Sequence, residues 1–164
     1  MESQHRYAQY RYQQDYWRRL GAMQARWNAR RYDYWNDPYY YTPASYRYAW
    51  GGHWYETNYY GAQLLQQAVD FGYQEGWRAG QADHQDGWAY DYHGSWAWQD
   101  ATYGYHGYYV DPETYRYYFR EGFRRGYDDG YYGQMRYGYR DDSGNALITA
   151  ALVGTILGLT LLDH

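Results

Sequence analysis

Small residues recur at every fourth position in four stretches of the chain: Gly21, Ala25 and Ala29; Ala68, Gly72, Gly76 and Gly80; Gly122, Gly126 and Gly130; and Ala146, Ala150, Gly154 and Gly158. On an α-helix that spacing lines them along one ridge, because residues i and i+4 are surface neighbours. Glycine in a helix costs about 1 kcal/mol against alanine. A helix that keeps several gains something in return, and the usual gain is close approach of a second backbone. The pattern predicts a basic helix within 1–32, with Tyr10, Trp17, Leu20 and Trp27 on one side. It predicts a Tyr/Pro/Gly-rich connector over 33–60, where Pro38, Pro43 and Gly51-Gly52 break helix and Tyr39-Tyr40-Tyr41 suggests an extended wrap. A second helix is expected over about 61–85. An aromatic, glycine-punctuated loop covers 86–110, with short strands as the alternative reading. Asp111-Pro112-Glu113 then starts a third helix, by capping, first-position proline and favourable dipole. It runs to about 133 and is followed by a linker, 134–145.

The second and third helices read as an internal repeat. Tyr73 to Asp83 aligns with Phe119 to Asp129 at a constant offset of 46 and matches glycine to glycine. Beside each glycine ridge (Gly72, Gly76, Gly80; Gly122, Gly126, Gly130) runs a ridge of rings, Tyr73 and Trp77 in one, Phe119, Phe123, Tyr127 and Tyr131 in the other. Glycine grooves beside ring knobs predict that the two helices interlock as an antiparallel hairpin. Ion pairs Glu121–Arg125, Arg124–Asp128 and Arg125–Asp129 are expected on the exposed side of the third helix, each contributing only ~0.3–0.5 kcal/mol.

The last segment, 146–164, differs. Ala146 to Leu162 carries no charge. As one helix it would reach ~25 Å, just short of a ~30 Å hydrocarbon layer. Being apolar all round, it needs burial on every side. Burial between copies of the chain, in a membrane or in the core of a monomer all meet that need. The first is preferred, because few other aliphatic residues exist to surround it, and Ala146, Ala150, Gly154 and Gly158 then form the assembly ridge.

Composition changes the nature of the core. The chain holds 29 Tyr, 9 Trp and 19 Gly but only 3 Phe among 164 residues, so its core is built of rings whose hydroxyls need partners. All 15 basic residues are arginine, which forks to carboxylates and stacks on rings. The net charge of -4 is unevenly spread. Residues 1–31 set seven arginines against Glu2 and Asp15, whereas 70–112 set Arg78 against seven acids. The basic end and acidic middle would attract, within one molecule or head-to-tail between molecules. The overall sign argues against nucleic acid as a partner.

Chemistry is sparse. Without cysteine there is no disulfide or thiol chemistry. Asp83, His84, Asp86 and His93 match no established metal-ligand spacing, so neither metal nor cofactor is expected. Asp128-Asp129 and Asp83/Asp86 read as helix-surface ion-pairing groups rather than paired catalytic carboxylates. No nucleophile elbow, phosphate loop or dinucleotide fingerprint occurs, and no enzyme is expected. Trp50, Trp54, Trp88, Trp96 and Trp98 are the candidate platforms for stacking on sugar rings, set against the simpler reading that they are core.

From Tyr55 to Gly133 the chain resembles a group of Tyr/Gly-rich proteins of environmental bacteria, Acidobacteria among them. The motif-bearing runs are Gly72 to Asp83, a helix with spaced glycines ending in Asp, and Tyr118 to Tyr131, a ring-and-glycine helix. The resemblance implies a helical hairpin and a bacterial origin. Members of the group are often expected to be exported, although the first residues here carry no apolar run of the signal-peptide kind. The combined expectation is an all-α, non-enzymatic structural protein of the cell envelope or extracellular space that self-associates through helix packing, as a filament subunit or another homo-oligomer. The second expectation is an envelope-anchored binding module, with 146–162 in a membrane and the aromatic loops on glycan or peptidoglycan.

Overall fold

The computed structural model describes residues 5–29, 43–105 and 110–162. Expectations for the remaining residues, including the Tyr39–Tyr41 wrap, lie outside them. In chain order the elements are α1 (Tyr7–Ala29), β1 (Tyr46–Trp50), β2 (His53–Thr57), α2 (Tyr59–Gln85), α3 (Trp96–Asp100), α4 (Pro112–Tyr132), β3 (Gly138–Arg140), β4 (Ala146–Ile148), α5 (Ala150–Leu157) and β5 (Thr160–Leu161), with a single 3-10 turn at Tyr92–Gly94.

The fold is mixed α and β, not all-α. Two antiparallel sheets are present, one ordered β2-β1-β5 and one pairing β3 with β4. The connector contains the β1–β2 hairpin, whose two-residue turn is Gly51-Gly52, both at positive φ. Two ring-rich runs separated by two glycines are a hairpin signal, because only that backbone matches the twist of the flanking strands.

α2 and α4 form the centre, and they are parallel. As α2 rises from Gly72 through Gly76 to Gly80, the residues it faces on α4 rise from Phe119 through Phe123 to Tyr127. In return Gly122, Gly126 and Gly130 face Val69, Tyr73 and Trp77. The expected antiparallel hairpin is therefore overturned. The contacts equate Gly72 with Gly122, an offset of 50, one step of the four-residue pattern away from the repeat offset of 46. Parallel helices need a long return, and within it residues 86–105 form a strap running back along α4.

α1 runs antiparallel to α2. It buries Ala8, Tyr12, Tyr16 and Leu20, not the face of Tyr10 and Trp17, and Trp17 stays 45% exposed. The buried tyrosines win that face because their hydroxyls find carboxylates: Tyr12 donates to Glu75 at 2.8 Å and Tyr16 to Asp100 at 3.2 Å.

The C-terminal segment is not one helix. β4 pairs with β3 across a turn in which Asp141 accepts from the backbone N–H of Ser143 and Asn145, at 2.9 and 2.8 Å. Thr149 caps α5, and Gly158 ends it in the left-handed conformation. β5 then joins β1. Strand pairing at both ends outweighs the helical spacing of Ala146, Ala150, Gly154 and Gly158. Among the described residues no helix is long and apolar enough to cross a membrane.

Candidate functional site: a glycine-locked core and an open C-terminal face

Each glycine of the α2–α4 seam lies against a facing carbonyl. A Cβ added at Gly72, Gly76 or Gly80 would overlap the carbonyl oxygen of Phe119, Phe123 or Tyr127. One added at Gly122, Gly126 or Gly130 would overlap that of Val69, Tyr73 or Trp77. Backbone cannot rotate away as a side chain can, so these six positions set the distance between the helices. At that spacing Cα–H groups approach carbonyl oxygens, a weak attraction repeated along the seam.

Rings flank the seam. Tyr115, Phe119, Phe123, Tyr127 and Tyr131 stack at successive i+4 positions of α4, with centroids 6.5, 6.3, 6.4 and 5.8 Å apart. The strap descends this ladder: Trp88 and Tyr90 lie at Tyr131, Tyr90 and Tyr92 at Tyr127, Trp98 at Phe123 and Tyr105 at Tyr115. Outside α3 and the 3-10 turn, the strap leaves backbone groups to satisfy. Tyrosine and arginine do this. Tyr131 donates to the Trp88 carbonyl, Tyr115 to that of Tyr103 at 2.6 Å, and Arg120 to those of Trp98 and Gln99 at 2.9 and 2.7 Å. The Tyr127 hydroxyl accepts from Asp91 N–H at 3.0 Å. This explains why tyrosine outnumbers phenylalanine among the buried rings.

Two of the four acidic residues expected on helix surfaces, Asp83 and Asp129, are instead buried anchors, while Asp86 and Asp128 are half-buried. Asp83, 1% exposed, accepts from Arg6 at 2.8 Å, Gln9 at 2.7 Å and Tyr127. Asp86 accepts from the N–H of Ala8 and Gln9 at 2.7 and 2.9 Å, so the end of α2 caps the start of α1. Asp129, fully buried, accepts from Tyr73 at 2.8 Å and from the N–H of Arg136 and Tyr137 at 3.0 and 2.9 Å. Burial, and then the bond to the aspartate, pushes the Tyr73 and Tyr127 phenols well above their ordinary range, which keeps them neutral donors. Of the surface pairs, Glu121–Arg125 forms at 2.8 Å. Arg124 turns to Glu121 rather than Asp128, and Asp129 is committed inside. The charge asymmetry resolves within the molecule, through Arg6–Asp83 and Arg19–Glu75.

The five candidate stacking tryptophans do not converge. Trp50 and Trp54 belong to the hairpin, and the guanidinium of Arg47 lies 4.5 Å from the Trp54 ring centroid. Trp88 is covered by Arg6 at 4.2 Å. Trp96 pairs with Trp17 at 5.2 Å, and Trp98 packs on Phe123 and Tyr92. Among the described residues no three His, Asp or Glu side chains group in a way that could hold a metal ion.

The C-terminal face has the opposite character to the seam. Ala146 is buried in β4, while Val153 and Leu157 of α5 point inward. Ala150, Ala151, Gly154 and Thr155 point outward, and nothing lies within 4 Å of a Cβ added at Gly154. Gly158, at the helix end, lies beside Ala49 and Trp54. Leu161 of β5 is 66% exposed and Trp54 55%. β5 and β2 are the outer strands of their sheet. In the sequence the spacing of small residues is the same here as at the seam; the ring ridges beside the seam glycines, and their absence beside Gly154, are what set the two apart. Comparison of the chain with protein-family models, with curated proteins and with solved structures finds no match.

Proposed function

We propose that the chain is a non-enzymatic structural subunit that associates with further copies of itself through the face of α5, β5 and Trp54. One observation carries the reading: among the described residues the most apolar segment of the chain is covered on one side only. Val153 and Leu157 fill the interior, whereas the Ala150–Gly154 side is open and Leu161 projects outward. The outer edge of β5, the two-residue strand Thr160–Leu161, offers a short site for pairing with another chain, with Leu161 exposed beside it. A flat small-residue helix face beside it allows close approach of a second backbone. Envelope or extracellular placement, in a filament or a closed oligomer, remains part of this proposal and rests on the Tyr/Gly-rich composition.

Sedimentation velocity across a concentration series tests it. The wild-type protein is expected to form oligomers. The double variant Gly154→Arg, Leu161→Arg is expected to sediment as a monomer with unchanged helix content by circular dichroism. A wild-type protein that stays monomeric at high micromolar concentration, or a double variant that assembles as the wild type does, overturns the reading.

A further inference from the structure

At the far end of the α2–α4 pair from the hairpin, Arg124 and Arg125 of α4 meet Arg136, which follows it. The backbone turn that brings Arg136 back is held by the buried Asp129 carboxylate through the N–H groups of Arg136 and Tyr137. Together with Tyr90, Tyr92 and Tyr137 they line a cleft of about 300 Å³, at the small end of ligand pockets.

The polar groups on its wall fall into two sets. The acceptors are already used. Glu121 beneath the cleft holds Arg124 at 3.0 Å and Arg125 at 2.8 Å. Asp128 accepts from Tyr90 at 3.3 Å and Gln134 at 3.4 Å. What is left over are donors. Among the described residues the exposed Arg136 guanidinium makes neither a hydrogen bond nor an ion pair, only a contact with the Tyr137 ring at 5.2 Å. That ring also lies 5.9 Å from the Arg125 guanidinium, so two cations share one ring. The Tyr92 and Tyr137 hydroxyls likewise have no partner. Three guanidiniums and three carboxylates, Glu121, Asp128 and Asp129, meet around this recess, but Asp129 is committed to Tyr73 and to backbone N–H groups, so Arg136 is the guanidinium left without an acid partner.

We infer that this cleft binds the phosphate group of a small phosphomonoester, with Arg136 as the principal ligand, Arg124 and the Tyr92 and Tyr137 hydroxyls as further donors, and the tyrosine rings as walls for the organic part. A guanidinium fork matches a phosphate's oxygens bidentately. A phosphate dianion gains more from the Arg136 guanidinium than a carboxylate monoanion does. The ring walls favour an ester over the bare ion.

Isothermal titration calorimetry of the full chain at physiological salt tests this with three probes: phenyl phosphate, inorganic phosphate and benzoate. Phenyl phosphate is expected to bind saturably, inorganic phosphate at least threefold more weakly, and benzoate at least tenfold more weakly. Arg136→Gln is expected to weaken phenyl phosphate binding at least tenfold, with its circular dichroism unchanged because the side chain holds nothing else. Arg47→Gln removes the same charge at the hairpin and is expected to change affinity less than twofold. Absence of saturable binding, benzoate binding as tightly as phenyl phosphate, or equal loss in the Arg136 and Arg47 variants overturns the inference.

Discussion

The α2–α4 seam and the α5 face carry the same spacing of small residues and live in opposite surroundings. At Gly76 and Gly126 the neighbouring atoms are backbone, so close that no side chain fits. At Gly154 the neighbouring space is empty. A small residue at every fourth position thus creates a flat ridge and nothing more. Whether the ridge is filled depends on a second ridge with matching period, and on a connection long enough to deliver it in register. The return over 86–111 delivers α4 to α2, and no described element performs that service for α5.

The sharpest way to break the comparison is alanine at each site. Gly126→Ala improves intrinsic helix propensity, yet its Cβ would collide with the Tyr73 carbonyl. We expect a loss of about 4 kcal/mol or more, seen as unfolding at room temperature by near-ultraviolet circular dichroism. A variant that melts within a few degrees of the wild type would show that the helices can separate without penalty.

The next largest effect concerns the buried anchor beside the seam. Asp83→Ala strands Arg6, Gln9 and Tyr127 at once and should cost about 3–4 kcal/mol in urea denaturation. Asn at the same position, which keeps an acceptor, should recover part of it.

Asp70 lies between the two regions, in the cleft between α2 and the Ala150–Gly154 side of α5, without a hydrogen-bond partner. Burial pushes its carboxyl up from 3.8 to about 6. Between those values the native state holds a proton that the unfolded chain has released, so stability falls as pH rises through this window and the deficit persists at pH 7. Asp70→Asn should therefore stabilise by ~1 kcal/mol at pH 7 after allowance for solvent screening, and by almost nothing at pH 3.5. Equal effects at both pH values would refute the assignment.

The smallest effect completes the comparison. Gly154→Ala meets no neighbour and should stabilise the monomer by about 0.5–1 kcal/mol through helix propensity alone. Destabilisation in thermal melts of dilute protein would mean that the α5 face is already covered.

Much of the helical framework was legible in the chain. Asp111-Pro112 marks the start of α4 because proline suits the first helical turn, and the strand pair around Gly51-Gly52 carries a hairpin signal in its two-residue turn. The candidate sites were less so. The direction of α4 was hidden, since a repeat of glycines reads alike for parallel and antiparallel packing. Asp83 and Asp129 look like surface acids on a helical wheel, yet each meets buried donors from distant segments, Arg6 and Gln9 in one case and Tyr73 in the other. The cluster at Arg136 depends on a turn pinned by Asp129, a contact no spacing rule contains.

Local chemistry by itself determined where α2 and α4 begin and end and which ridges are flat. It also made a ring-built core inevitable, since the chain has few aliphatic residues to bury before residue 146. Only the tertiary structure decided that α2 and α4 run parallel and that the strap's carbonyls would be met by phenols. It also split the apolar tail into strand, helix and strand. The physical reason is range: capping, propensity and ridge geometry act within a few residues, whereas helix direction, buried ion pairing and strand exchange are settled by contacts between segments some 40 to 115 residues apart.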